Sequence, residues 1–108
     1  MWELERPRFS REPQYSLDVI KLAFKTTDAL RMTFSAMQGQ YNLGFSDQDV
    51  VDTVQSLTDR DFYKSMPPKH ADFSAWQDVY RPVFKKIKLY VKFQVDKRGE
   101  VIISFKAR

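Results

Sequence analysis

The chain has 108 residues, of which 43% are hydrophobic, 30% charged and 15% aromatic, and its formal net charge is +4. This length suits one domain, because single-core domains most often contain about 100 to 150 residues, and the supply of large apolar side chains excludes intrinsic disorder. With no cysteine and one histidine, disulfides, thiolate metal sites and a histidine-rich metal cage are excluded. We expect no metal ion or other cofactor.

The sequence contains no candidate membrane or export segment. No apolar run approaches the roughly 20 residues that cross a bilayer, and residues 1–14 are charged and contain proline where a signal peptide would be apolar. We therefore expect a cytoplasmic protein without membrane contact. Residues 1–14 are predicted to form an N-terminal extension, either flexible or partner-binding, and residues 15–108 the single folded domain.

Charge is distributed unevenly along the chain. Residues 1–58 hold six Lys and Arg against eight Asp and Glu, and residues 59–108 hold twelve against six, so the halves carry −2 and +6. The densest basic block contains Arg81, Lys85, Lys86, Lys88 and Lys92 and no acidic residue. Such a block fits nucleic acid first and an acidic protein second, but charge alone is equally compatible with a solvated face that binds nothing.

The first half of the chain predicts three helices. Ser16 is placed to cap the first, over residues 17–24. Thr33 or Ser35 begins the second, and Gly44 stands where a left-handed residue ends it. One face of this second helix carries Phe34, Met37 and Tyr41.

The third helix has the clearest start signal. Ser46 is its predicted N-cap, Asp49 lies in the first turn, which the helix dipole favours, and Phe45 is placed to contact Val50 across the cap. Its core stripe is Val50, Val54 and Leu57. Before the second helix, residues 29–32 are predicted to form a short strand.

From residue 61 onward the apolar residues alternate, which predicts strands over residues 61–66, 76–80, 87–95 and a final strand from Val101. Matching the apolar faces of the last two strands predicts the antiparallel pairs Val95–Val101, Phe93–Ile103, Val91–Phe105, Lys92–Ser104 and Tyr90–Lys106. We therefore predict an α+β fold in which three helices pack on one face of an antiparallel sheet of four to six strands.

The polar face of this sheet is the place to look for function. Tyr90 lies between Lys88 and Lys92 on its strand, and single-stranded nucleic acid favours such a mixture of cations and flat rings. A solvent-facing tyrosine between lysines is also ordinary strand composition. The residues alone leave these two interpretations open.

Two motifs and a matching final run resemble the MqsR family of bacterial toxins. They are Asp61-Phe62-Tyr63-Lys64-Ser65-Met66, Trp76-Gln77-Asp78-Val79-Tyr80 and Ile103-Ser104-Phe105-Lys106. With the helix around residues 50–57, the resemblance covers roughly residues 15–106. It implies a RelE-like fold and an mRNA interferase of a type II toxin–antitoxin system. Such a ribonuclease inhibits translation, and a cognate antitoxin similar to MqsA neutralises it.

The resemblance also implies the catalytic residues Lys64, Gln77 and Tyr90. The chemistry of the neighbouring side chains adds RNA-binding candidates: Arg81, Lys88 and Lys92 for phosphates, and Tyr63 and Met66 for packing or a substrate shelf. Cleavage by the RNA's own 2′-hydroxyl needs a proton acceptor, donors to the phosphorane oxygens and a proton donor, and no histidine is required. Lys64 and Tyr90 are candidates for these tasks, and Gln77 can orient the substrate.

Each candidate also has a simpler interpretation. Lys64 is compatible with an ordinary edge-strand lysine, Gln77 with a surface amide, and His70, in a proline-containing loop, is given no role. The main alternative function is a non-catalytic module that binds RNA or an acidic protein through the basic face. A purely structural interaction protein is the third class. We expect the toxin itself to be monomeric outside its antitoxin complex.

Overall fold

The computed structural model describes residues 10–67, 76–96 and 98–108. Its helices are α1 (Leu17–Ala23), α2 (Phe34–Leu43) and α3 (Asp47–Ser56). Its strands are β1 (Phe62–Met66), β2 (Gln77–Tyr80), β3 (Val83–Phe84), β4 (Ile87–Val95) and β5 (Val101–Ala107). The predicted α+β class is confirmed, whereas the RelE-like arrangement stays a prediction. Within the described ranges, no helix is long and apolar enough to cross a membrane.

The five strands form one antiparallel sheet centred on β4. On one side, β4 pairs with β2 and, at its beginning, with β3, and β1 lies beyond β2. On the other side it pairs with β5. All five residue pairs predicted for the last hairpin are confirmed, including Tyr90 opposite Lys106 and Lys92 opposite Ser104. The apolar alternation sets this register because a slip by one residue would turn every apolar side chain outward.

Capping residues place the helix ends close to the predicted positions. The Ser46 side chain accepts the main-chain N–H of Asp49 at 3.0 Å, and the Asp49 carboxylate accepts that of Ser46 at 2.9 Å. Thr33 caps α2 by accepting the N–H of Ala36, and Gly44 ends that helix at φ +70°. Ser16 occupies the N-cap position of α1 but makes no side-chain capping bond.

The core lies between the three helices and one face of the sheet. The predicted stripe of α3 is buried there, and the strands contribute Tyr80, Leu89, Val91, Phe93, Ile103 and Phe105. Burial, the main cause, raises the pKa of Tyr80 to about 12. Tyr80 is part of the core, and its buried ring serves as packing.

Helix α2 turns its large apolar face to solvent. Phe34, Met37 and Tyr41 share one face as predicted, but they are 74%, 48% and 84% exposed. The buried side carries Ala36, and Gly39 approaches the sheet so closely that a Cβ there would lie 2.8 Å from the carbonyl oxygen of Phe105. Small residues thus determine which side of α2 packs on β5.

Several predicted element limits are wrong. The first helix ends at Ala23 rather than at residue 24, and β2 begins at Gln77 rather than at residue 76. Residues 29–32 do not form a strand: a 3₁₀ turn covers Thr27–Ala29, and Met32 then makes a single parallel bridge to Ile103. The pairing stops there because the next residue, Thr33, already caps α2. Strand β1 begins at Phe62 rather than at Asp61, since Asp61 ends a second 3₁₀ turn. His70 and residues 1–9 lie outside the described residues, and the predicted domain boundary stays a prediction.

Candidate active site

The three predicted catalytic residues share one face of the sheet. Lys64 in β1, Gln77 in β2 and Tyr90 in β4 point away from the helices, because their strand neighbours Ser65, Asp78 and the residues on either side of Tyr90 are buried on the helix side. We call this surface the outer face. The outer face continues from strand to strand, because Lys64 of β1 lies opposite Val79 of β2, and Val79 lies opposite Lys92 of β4.

The register also fixes how far apart these residues lie. Gln77 pairs with Met66, two positions from Lys64 on β1, so strand geometry places the Cα atoms of Lys64 and Gln77 about 8 Å apart. On β4, Tyr90 lies four residues from the position that is opposite Gln77. The Cα atoms of Tyr90 and Gln77 are therefore about 14 Å apart. The structure therefore brings Lys64 and Gln77 together and places Tyr90 at the other end of the same face.

The amide of Gln77 is held by a neighbour on β4. Its Nε2 donates to Oε1 of Gln94 at 2.8 Å, and both side chains are half-buried. This bond uses one of the two Nε2 protons, so Oε1 can still accept a hydrogen bond and Nε2 can still donate one. Gln94 was not among the predicted site residues, although its place among the polar residues of β4 was the available signal.

Tyr63 and Arg81 form a stacked pair beside Lys64. The Arg81 guanidinium carbon lies 4.5 Å from the Tyr63 ring centroid, and the Lys64 Nζ lies 5.2 Å from it. An irregular register between Phe62 and Lys64 leaves Tyr63 45% exposed. The Arg81 main chain is anchored where its N–H donates to the Asp61 carbonyl at 2.7 Å. An exposed ring covered by a cation is suited to stacking on a base.

Tyr90 lies among cations at the other end of the outer face. Lys106 is directly opposite it on β5, and the Arg108 guanidinium carbon is 6.0 Å from its ring centroid. Arg108 is itself fixed, since its Nε donates to the Leu89 carbonyl at 3.0 Å and its Nη2 to that of Arg81 at 3.2 Å. The predicted site omitted Lys106 and Arg108, although the predicted hairpin register already paired Lys106 with Tyr90.

The basic block is divided by the fold. Lys88 is exposed and Lys92 half-buried on the outer face, which Met66 shares. Lys85 instead donates to the Asp49 carboxylate of α3 at 2.7 Å. This hydrogen bond, more than the main-chain bond at Ser46, lowers the pKa of Asp49. Lys85 therefore contributes to holding the β3–β4 turn on α3.

The outer face carries ammonium, guanidinium, amide and phenol groups and the hydroxyl of Ser104, opposite Lys92. Across the described ranges, no three His, Cys, Asp or Glu side chains are grouped so that they could hold a metal ion. The available chemistry is phosphate binding, proton transfer by a phenol or an amine, and orientation by an amide.

Comparison with known proteins places the chain in a class. Residues 12–107 match the family model described as "Motility quorum-sensing regulator, toxin of MqsA". The mRNA interferase toxin MqsR of Escherichia coli (strain K12) is 33% identical over 98 residues, which cover 91% of this chain and 97% of that protein. The class is that of small bacterial toxins with an α+β fold. The chain belongs to the MqsR toxin family, which confirms the resemblance carried by its motifs.

Proposed function

We propose that this protein is an mRNA interferase, an endoribonuclease that cleaves single-stranded mRNA sequence-selectively and so inhibits translation. It acts in the cytoplasm as a stress-response toxin. The observation that carries the proposal is the placement of Lys64, Gln77 and Tyr90 on one sheet face, together with Arg81 and Lys106. This set offers what RNA cleavage needs: cations for the phosphate, a transferable proton and an amide that orients the substrate.

The proposed reaction needs no metal ion. The ribose 2′-oxygen attacks the adjacent phosphorus and gives its proton to a base, while the bond from phosphorus to the 5′-oxygen breaks and that oxygen takes a proton from an acid. The products are a 2′,3′-cyclic phosphate and a 5′-hydroxyl. Tyr90 transfers one of these two protons, as acid or as base. Lys64 is the candidate for transferring the other. Lys106 and Arg108 stabilise charge on the phosphorane beside Tyr90, and the Gln77 amide, about 14 Å from Tyr90 between Cα atoms, orients the strand at a neighbouring nucleotide.

RNA is held by the surroundings of these residues. The Tyr63–Arg81 stack provides a flat surface for one base, and Met66, opposite Gln77 at the other end of β1, provides a separate apolar contact. Lys88 and Lys92 bind phosphates along β4. Single-stranded RNA fits this arrangement because its bases are free to stack, whereas a duplex hides them.

The test is cleavage of a defined mRNA by the purified full chain, without ribosomes and with excess EDTA, followed by mapping of the product ends. We expect cyclic-phosphate ends from the wild type and at least about a 100-fold loss of rate in Lys64→Ala, Gln77→Ala and Tyr90→Phe. Lys25→Ala, which removes an exposed lysine after α1, is the control and should cleave normally. RNA binding without any cleavage would instead identify the protein as the non-catalytic module.

A cognate antitoxin similar to MqsA is the second partner, and we propose that it binds outside the outer face. The exposed apolar side of α2, with Phe34, Met37 and Tyr41, supports this location. This side carries no charged residue and lies on the helix layer, on the other side of the molecule from Lys64 and Tyr90. Binding there would rely on apolar burial and leave the catalytic residues uncovered.

Competition distinguishes this location from direct occlusion. A short uncleavable RNA is titrated into the preformed toxin–antitoxin complex at constant salt while antitoxin release is followed. We expect a ternary complex, and we expect antitoxin affinity to be unchanged in Lys64→Ala and Tyr90→Phe. Stoichiometric release of the antitoxin by RNA would show that it covers the outer face.

A further inference from the structure

The segment formed by residues 10–15 is hydrogen-bonded to both β1 and β2. Ser10 pairs with Ser65 through two main-chain bonds of 2.7 and 2.8 Å. The main-chain N–H groups of Gln14 and Tyr15 donate to the Asp78 carboxylate at 3.0 and 2.9 Å. The Tyr15 hydroxyl donates to the Trp76 carbonyl at 2.6 Å.

The partners of this segment are the chain neighbours of two candidate catalytic residues. Ser65 directly follows Lys64, and Trp76 and Asp78 lie on either side of Gln77. Because successive strand residues point to opposite faces, the segment binds β1 and β2 without covering the outer face. It thus fixes the backbone from which Lys64 and Gln77 project.

Asp78 is the centre of this contact. Its side chain is completely buried, and both carboxylate oxygens accept main-chain N–H groups of the segment. A buried carboxylate is costly unless it is well hydrogen-bonded, so the segment and the carboxylate depend on each other. Burial is the main cause that raises the pKa of Tyr15, and the charge of Asp78 raises it further. Both effects favour the protonated hydroxyl, which donates to the Trp76 carbonyl.

We propose that residues 10–15 form a positioning clamp for the active site, in which Asp78 is the positioning residue that aligns Gln77. The proposal rests on the proposed ribonuclease function. Packing alone would not require a carboxylate at this point, since an apolar residue beside Phe93 would fill the space without a buried charge. The carboxylate is useful because it ties two main-chain N–H groups to one point on β2.

The test compares Asp78→Asn and Tyr15→Phe with the wild type in RNA cleavage. Asp78→Asn keeps the shape of the side chain but replaces one acceptor by a donor, and Tyr15→Phe removes a single hydrogen bond. We expect kcat to fall by roughly 10- to 100-fold in Asp78→Asn and by less in Tyr15→Phe, since small misplacements of reacting groups have effects of this size. KM should change little, because the phosphate-binding lysines are untouched.

The control variant is Ser65→Ala. Its hydroxyl is buried and has no hydrogen-bond partner among the described residues, and the main-chain pairing with Ser10 does not need it. This substitution changes the same buried layer without loosening the clamp. We expect unchanged kcat and thermal stability that is equal or higher.

A double-mutant cycle separates positioning from general damage. In the Gln77→Ala background, Asp78→Asn should cause little further loss of kcat, because the residue it positions is gone. Equal losses in both backgrounds, or full activity in Asp78→Asn, would overturn the clamp while leaving the ribonuclease proposal intact. Full activity of Gln77→Ala itself would instead contradict the proposed role of Gln77. If Asp78→Asn does not fold, Tyr15→Phe is carried through the same cycle with the same criteria.

Discussion

Asp49 has two separate roles, and both depend on its charge. One carboxylate oxygen accepts the Ser46 N–H and caps α3, and the other accepts the ammonium of Lys85 from the β3–β4 turn. A single side chain therefore joins the start of a helix to a turn of the sheet. The turn it holds carries much of the basic block, so Asp49 also affects how that block is presented.

The lowered pKa of Asp49 predicts a particular dependence of stability on pH. A carboxylate whose folded pKa is depressed contributes stability above its unfolded value, near pH 4, and loses it as the pH falls through the folded value. Asp49→Asn should therefore lower the free energy of unfolding at pH 7, and this difference should shrink below about pH 4. Urea unfolding across this range measures it. Asp47→Asn, in the same helical turn, is the control without the Lys85 bond, and an identical profile would contradict the assignment.

The β3–β4 turn is strained at its two central residues. Lys85 and Lys86 have φ values of 51° and 66°, in the left-handed region that glycine and asparagine tolerate best. Lys86→Gly should raise the free energy of unfolding by about 1 kcal/mol, because relief of this conformation exceeds the entropy of the added glycine. Lys86→Ala keeps the strain and should give no gain in urea unfolding. A gain from alanine would show that charge, rather than strain, is responsible.

Between elements, the contact of α2 with β5 depends on a missing side chain. In most helices Gly→Ala stabilises by about 1 kcal/mol, but at Gly39 the added Cβ would meet the Phe105 carbonyl at 2.8 Å. Gly39→Ala should therefore destabilise the fold by about 1 to 3 kcal/mol, measured by chemical unfolding. Gln38→Ala, an exposed neighbour in the same helix, should change stability by less than about 0.5 kcal/mol. Stabilisation by Gly39→Ala would show that α2 does not approach β5 so closely.

The elements differ in how well the sequence predicts them. The β4–β5 register follows from an unbroken alternation of apolar residues, and α3 from Ser46 and its capping partner, because both signals are local. The orientation of α2 does not follow from its pattern, because Gly39 packs through the absence of a side chain. Lys64, Gln77 and Tyr90 were proposed by resemblance, and alternation placed only Tyr90, with Lys88 and Lys92, on the polar face of the sheet. The contact of Asp78 with residues 14–15 joins positions far apart in sequence, so no local pattern shows it.

For the whole molecule, the divided basic block predicts which lysines affect the salt dependence of RNA binding. The log–log slope of affinity against salt should weaken by about 0.7 in Lys88→Ala, because each phosphate contact to a single strand contributes about that much. Lys85→Ala should leave the slope nearly unchanged, since its ammonium is engaged by Asp49. Titrations on an uncleaved RNA at several salt concentrations measure both. Equal effects of the two substitutions would show that the turn also reaches the RNA.

The clamp has a consequence for the order in which the protein is made and folds. Gln14 is 64 residues away from Asp78 on β2, and Tyr15 is 61 residues away from Trp76 directly before it. Strand β2 in turn needs β4 beside it. During synthesis, residues 10–15 leave the ribosome well before the strands to which they bind. Contacts between residues so far apart in sequence form slowly. The proposed active site is therefore assembled only after β2 and β4 have been translated. If the proposed ribonuclease function holds, a nascent chain that has not reached β4 carries no assembled nuclease next to its own message.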